Sequence, residues 1–113
     1  MVGEFQLRRE GRQVAQLRFT EREKFFELEL VLVISAHRGR GLGTALIRRL
    51  LVLADAADKP VYATARPIGS NSPQALERLT RYYERLRFSV VERGVSSVRM
   101  KREPRGAAPE GPP

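Results

Sequence analysis

The chain has 113 residues, 42% hydrophobic and 30% charged, with no cysteine. That is enough for one compact domain around a modest core and too little for two. No stretch approaches the roughly 20 apolar residues of a membrane span, and the start MVGEFQLRRE has no apolar signal-peptide core, so a soluble cytoplasmic protein is expected. Without cysteine there is no disulfide framework and no thiolate nucleophile, and one histidine argues against a multi-histidine metal site. The 21 Lys+Arg exceed the 13 Asp+Glu to give a net charge of +8. The whole excess lies after residue 35, where it would attract a polyanion, either nucleic acid or a phosphorylated small molecule.

The first elements alternate apolar and polar residues. Glu4 to Arg9, the turn signal Glu10-Gly11 and Gln13 to Phe19 predict a β-hairpin, with Ala15, Leu17 and Phe19 on one face and Val14, Gln16 and Arg18 on the other. Phe25 to Ile34 (FFELELVLVI) predicts a central strand, on which simple alternation puts Glu27, Glu29, Val31 and Val33 on the same face. A basic, glycine-rich loop from Ser35 to Thr44 leads into a helix reaching about Ala57, with Leu42, Ala45, Leu46, Leu50, Leu53, Ala54 and Ala57 as its apolar stripe. Val61 to Arg66 predicts a short strand, and Pro67 to Ser72 a loop. Ser72-Pro73 reads as the N-cap and first position of a second helix carrying Leu76, Leu79, Tyr83 and Leu86. Phe88 to Arg93 and Val98 to Arg102 predict a closing hairpin across Gly94. The order is β-β-β-α-β-α-β-β, an α/β domain over residues 1–103, with residues 104–113 (PRGAAPEGPP) as a disordered tail.

A strand running into a glycine-rich loop that opens a helix suits phosphate binding, because exposed backbone N–H groups and the positive helix end converge on the anion. Gly39, Gly41 and Gly43 let the backbone approach, and Arg38 and Arg40 add charge. Thr44 follows Gly43 where a P-loop has lysine, and GRGLG is not the GxGxxG of a dinucleotide fold.

The run Val33-Ile34-Ser35-Ala36-His37-Arg38-Gly39-Arg40-Gly41-Leu42-Gly43 resembles the V-x-P-x-x-R-G-x-G-x-G signature of the GNAT superfamily of acyl-CoA-dependent N-acyltransferases, with Ser35 where proline is common. Tyr83-Glu84-Arg85-Leu86-Arg87-Phe88 is similar to the family's Y-E-x-x-G-F segment, with Arg87 in place of its glycine. Motifs and element order together cover roughly residues 4 to 102.

The resemblance implies a mixed central sheet in which acetyl-CoA lies in a gap between two splayed central strands, with no metal. Its pantetheine arm would meet the backbone of Val31, Leu32 and Val33, with the Val31 N–H on the thioester carbonyl. The pyrophosphate would take the N–H groups of Arg38, Gly39, Arg40, Gly41, Leu42, Gly43 and Thr44, and Asn71 would reach the pantetheine amide. Tyr83 matches the acid that protonates the departing sulfur, although it also reads as a core aromatic beside Leu79 and Leu86. Glu27 aligns with a glutamate that is the base in some relatives, and Glu29 is two residues nearer the gap; either could instead be a solvent-facing strand residue. Many relatives place a carboxylate on the next strand, where this chain has Thr64, so a water-relayed proton fits as well.

The expected activity is acetyl transfer from acetyl-CoA to a primary amine by direct attack in a ternary complex. A CoA-binding regulatory module is the alternative. A nucleic-acid-associated protein ranks third, since Arg78, Arg81 and Arg85 read first as a solvated helix face. The chain aligns from the family's second strand onward, without the first strand and two helices that wall the acceptor site. An open acceptor cleft is therefore expected, with a macromolecular amine acceptor or completion by a second copy in a homodimer.

Overall fold

A computed structural model describes residues 1–105; residues 106–113, most of the expected tail, lie outside the described residues. The first hairpin forms from β1 (Val2–Arg9) and β2 (Arg12–Glu21), joined at Glu10 and Gly11. Both turn residues have positive φ, 51° and 79°, which matches the turn twist that antiparallel strands require. Then follow β3 (Phe26–Val33), a 3-10 turn at Ser35–His37, α1 (Leu42–Ala56), β4 (Val61–Ala65), α2 (Pro73–Arg85), β5 (Ser89–Arg93) and β6 (Val98–Arg102). The element order agrees with the sequence expectation. The six strands form one sheet in the order β1-β2-β3-β4-β6-β5, in which only β3 and β4 are parallel.

Every second residue of the central strands enters one core. Ala15, Leu17 and Phe19 of β2, Val61, Ala63 and Ala65 of β4, and Val98 and Met100 of β6 meet Leu46, Ile47 and Leu50 of α1 and Tyr83 of α2. The residues between them, including Glu27, Tyr62, Thr64 and Arg99, form the other face, which neither helix covers.

Three details depart from the expected pattern. On α1, Ile47 and Leu51 are buried while Ala45 and Leu53 are exposed. The apolar arc of this helix is wider than one stripe, and its seat on the sheet selects Leu46, Ile47, Leu50 and Ala54 from it. Val14 is buried at 2% exposure despite its assignment to the outer face. The β1–β2 register slips there, with Leu7 opposite Ala15 and Arg8 opposite Gln13, so Val14 is a supernumerary residue. A second slip pairs Arg18 with Leu30 and Phe19 with Leu28, leaving Glu29 as the extra residue on β3. The bulge reverses the alternation. Val31 and Val33 therefore pack on the core with Leu28, opposite Glu27, rather than sharing its face.

Arg87 has φ 76°. This is the left-handed conformation that glycine adopts freely, which explains the glycine of the family motif; arginine there carries roughly 1 kcal/mol of strain.

The helix-sheet seam also holds a partly buried ion pair. The Arg102 guanidinium, 4% exposed, donates to Asp55 Oδ1 and Oδ2 at 2.7 and 3.1 Å, and the Arg105 N–H donates to Oδ1 at 2.9 Å. Burial pushes the Asp55 carboxyl up, but the hydrogen bonds and charges of Arg102 and Arg105 outweigh it, so it ends below its ordinary 3.8. A carboxyl depressed in the folded state adds stability that is present above pH 3.8 and is lost as pH falls through the lower folded value. Arg102 Nε has no other partner among the described residues, so Asp55→Asn leaves a buried charge uncompensated. We expect a loss of about 2–3 kcal/mol at pH 7, below the figure for a fully buried pair because Asp55 is 26% exposed. Urea unfolding should show that difference narrowing towards pH 3.

Candidate active site

The site begins where the sheet comes apart. β3 and β4 pair only at Phe26–Val61, Glu27–Tyr62 and Leu28–Ala63. Past Leu28, β3 continues along β2 and β4 along β6, and among the described residues the edge of β3 turned towards β4 has no partner strand. The bulge at Glu29 falls at the point of divergence and bends β3 away. A cleft of about 700 Å³ occupies the gap, lined by Glu27 to Val33 of β3, Thr64, Arg66, Pro67 and Ile68 after the split in β4, and Leu79, Tyr82 and Tyr83 of α2.

The glycine loop lies at the far end of β3. Gly39 and Gly41 have φ of 81° and 75°, and a Cβ at either would meet nothing within 4 Å. Gly41 is the N-cap of α1; the cap carries no side-chain hydrogen bond, and no acidic residue occupies the first turn. None of the amides from Gly39 to Thr44 donates to an acceptor among the described residues. In α2, by contrast, the Ser72 hydroxyl accepts from the Ala75 N–H at 3.0 Å. An uncapped, glycine-fronted helix start with free donors suits an anion. Arg38 lines the cleft and donates from Nε to the Val33 carbonyl at 3.2 Å, tying the loop to the strand end. Gly43 packs beside Val31 and Val33, where a Cβ would lie 3.5 Å from Val31 Cγ1.

The carboxylates differ in what they hold. Both Glu27 oxygens accept from Arg99, at 2.6 and 2.7 Å, and Arg99 also donates to Thr64 Oγ1 at 3.1 Å. Glu29 is exposed and, among the described residues, accepts a single bond, from the Thr20 hydroxyl at 3.0 Å, leaving its other oxygen open to the cleft. The Glu27 bonds hold the Arg99 guanidinium above its ordinary value despite partial burial, and it stacks 4.9 Å over the Tyr62 ring.

Tyr83 is 8% exposed and packs edge-on against Tyr82 and Phe88, with centroids 5.5 and 5.3 Å away. Burial, with a smaller contribution from Tyr82, pushes its phenol up to about 12. Its hydroxyl hydrogen-bonds to no group among the described residues, whereas the Tyr82 hydroxyl is 2.6 Å from Thr44 Oγ1.

Of the residues singled out from sequence, the structure brings Glu27, Glu29, Val31, Leu32, Val33, Arg38 and Tyr83 to the cleft. Arg40, Gly41, Leu42, Gly43 and Thr44 stand at the loop and the first turn of α1. Asn71 is not brought in. It lines a small separate hollow with Pro67, Val95 and Ser96, in a loop held by the Ser70–Ser72 contact and the Ser72 cap. Arg99, Tyr82 and Arg66 were not anticipated. Adjacent Tyr82-Tyr83 was a visible signal in the sequence; Arg99 had none, because it reaches Glu27 only when β6 inserts beside β4. Among the described residues no group of three His, Cys, Asp or Glu side chains could hold a metal, and no helix is long and apolar enough to cross a membrane.

A split parallel pair with a glycine-fronted helix start at its end defines a class. The acetyltransferase (GNAT) family model matches residues 3–88, and the chain belongs to that family. An acyl-CoA N-acyltransferase from Pseudomonas aeruginosa is similar over 89% of this chain and 68% of its own, with 28% identity and a TM-score of 0.71. The PaiA N-acetyltransferase from Thermoplasma acidophilum, solved in complex with coenzyme A, covers 90% of this chain and 60% of its own at 10% identity and TM-score 0.73. The anti-CRISPR protein AcrVA5 covers 88% of this chain and 97% of its own at 18% identity and TM-score 0.65. The last two likenesses concern the fold alone. Comparison with curated protein sequences gives no match.

Proposed function

We propose that the protein is an N-acetyltransferase that moves an acetyl group from acetyl-CoA to a primary amine by direct attack in a ternary complex. The observation that carries this reading is the continuity of two unsatisfied hydrogen-bonding rows: the free edge of β3 and the free amides of Gly39 to Thr44. A ligand with an amide-bearing arm and a pyrophosphate matches both in order, which is the chemistry of coenzyme A. Acetyl-CoA bound there supplies an activated thioester acyl group.

The chain's own groups then have distinct tasks. Val31 and Val33 offer strand-like backbone bonds on the free edge, Leu32 between them facing β2, with the Val31 N–H as donor to the carbonyl oxygen where negative charge develops. The loop amides, Arg38 and Arg40 hold the pyrophosphate. Glu29, with an oxygen open to the cleft, takes the amine proton directly or through a water. Tyr83 keeps its proton and donates a hydrogen bond to the departing sulfur. Glu27, committed to Arg99, holds the site's shape. The uncovered sheet face beside Glu27 and Glu29 leaves room for a macromolecular amine acceptor.

Calorimetric titration with acetyl-CoA and desulfo-CoA tests the binding site. We expect saturable binding by the wild type and its loss in Gly41→Glu, whose carboxylate opposes the pyrophosphate. Gly41→Asn is the control, since asparagine tolerates the φ of 75° without adding charge. Absence of wild-type binding at millimolar ligand would overturn the assignment. Binding without turnover on a panel of small amines and polypeptides would instead identify a CoA-binding module.

A further inference from the structure

The sheet has two edges, β1 and β5, and they are unlike. β5 spans five residues, is broken by a register slip at Val91 and ends in exposed Glu92 and Arg93. Short, bulged and charged edges resist pairing with another chain. β1 spans eight residues without an extra residue of its own, and among the described residues it pairs only with β2. Its outer row of N–H and C=O groups is longer than that of β5 and, among the described residues, uninterrupted, so its charged side chains Glu4 and Arg8 decide what can pair with it.

The side chains along β1 select what pairs with it. Glu4, Gln6 and Arg8 are exposed on the uncovered face, while Phe5 and Leu7 are half-buried against the core on the helix face. Residues opposite one another in an antiparallel pair share a face, so a second copy of β1 meets this edge only in registers that keep these two sets apart. Centring on Phe5 sets Glu4 against Gln6, and centring on Leu7 sets Glu4 against Glu10. Centring on Gln6 sets Glu4 against the second copy's Arg8 and Arg8 against the second copy's Glu4, with Phe5 against Leu7 on the helix face. Two opposite-charge pairs and two apolar pairs then follow from one two-fold axis.

We propose that the protein forms an isologous dimer by antiparallel β1–β1 pairing centred on Gln6, fusing two six-stranded sheets into one with all helices on the same face. The groups involved are available in the isolated chain. Among the described residues Arg8 makes only long contacts, 3.3 Å to the Gly11 carbonyl and 3.4 Å to Gln6 Oε1, while Glu4 accepts an exposed hydrogen bond from Gln6 Nε2 at 2.5 Å and pairs with Arg18 at 3.9 Å. Such contacts contribute little and are readily exchanged. The assembly closes at two copies, because the edges it leaves are the bulged β5 strands. This inference is independent of the acyl-transfer reading.

Light scattering coupled to size exclusion tests it on the full chain. The wild type should run at twice the chain mass at micromolar concentration, with a dissociation constant that rises with salt. Glu4→Arg or Arg8→Glu each set two like-charge pairs across the axis and should weaken the dimer at least about tenfold. The double variant E4R/R8E restores opposite charges and should restore the dimer, with circular dichroism reporting that all three variants are folded. A wild-type monomer, single variants that dimerise normally, or a double variant that stays monomeric would each overturn the proposal; a wild-type dimer insensitive to salt would overturn the register.

Discussion

Glu29→Gln should lower kcat about a hundredfold or more while leaving the melting temperature and coenzyme A affinity close to wild type. In the proposed reaction the amine acceptor is protonated in neutral water and Glu29, with a free oxygen at the cleft, takes its proton; such a step is worth about 10²–10⁴ in rate. Glu29 is exposed and spends one bond on Thr20, so losing its charge costs the fold little. The variant's rate should rise with pH more steeply than the wild type's, because the neutral amine must then come from solution. Glu27→Gln should do the reverse. Its bidentate partner Arg99 would lose a pair whose side chains are 18% and 32% exposed, costing roughly 1–2 kcal/mol of stability, between an exposed and a buried ion pair, with only a small effect on kcat. Measuring kcat and thermal unfolding for both variants decides the roles, and a large kcat loss confined to Glu27→Gln would exchange them.

Tyr83→Phe is expected to reduce kcat about a hundredfold without weakening coenzyme A binding. The ring and its edge-on contacts with Tyr82 and Phe88 survive, so the variant removes a single hydroxyl from the cleft. With the phenol pushed up to about 12, Tyr83 holds its proton throughout the working range, and an alkyl thiolate near 8.5 is too weak a base to take it outright. Donation of a hydrogen bond to sulfur as charge develops is the contribution such a phenol makes, comparable with losing one oxyanion donor. The sign of the pH effect follows: the protonated form is the active one, and deprotonation of Tyr83 should cause no loss of rate below about pH 11. Ultraviolet titration of the phenols, wild type against Tyr83→Phe, checks the raised value. Unchanged kcat in Tyr83→Phe would leave Tyr83 as a packing residue alone.

Element types, their order and the glycine loop were legible because each rests on local chemistry. The Glu10-Gly11 turn, the Ser72-Pro73 helix start and the β3 apolar run all announce themselves within a few residues. The missed features depend on geometry that sequence spacing does not carry. A single extra residue at Glu29 reverses which side chains face the core, and nothing in FFELELVLVI marks where strict alternation stops. Arg99 meets Glu27 across a distance of 72 residues in the chain, a contact set by strand order rather than by either neighbourhood. Asn71 follows β4 as expected for a ligand-binding position, yet the structure places it in the hollow with Val95 and Ser96 rather than in the cleft. Arg87 departs from the family motif in residue type alone: its φ of 76° shows the backbone shape retained and the strain accepted.

The short β3–β4 ladder also has a mechanical consequence. The sheet is two plates, β1-β2-β3 and β4-β6-β5, hinged on three rungs. The Glu27–Arg99 clasp crosses that hinge on one face, and α1 spans it on the other through its contacts with β2 and β3 and its Asp55–Arg102 tie to β6. A molecule wedged between the plates would act as an additional strand, coupling two halves that otherwise meet along a short line. Slow amide exchange should accordingly spread from β2 and β6 into Leu30–Val33 when the wedge is filled, and the protein's unfolding should become more cooperative as well as more costly.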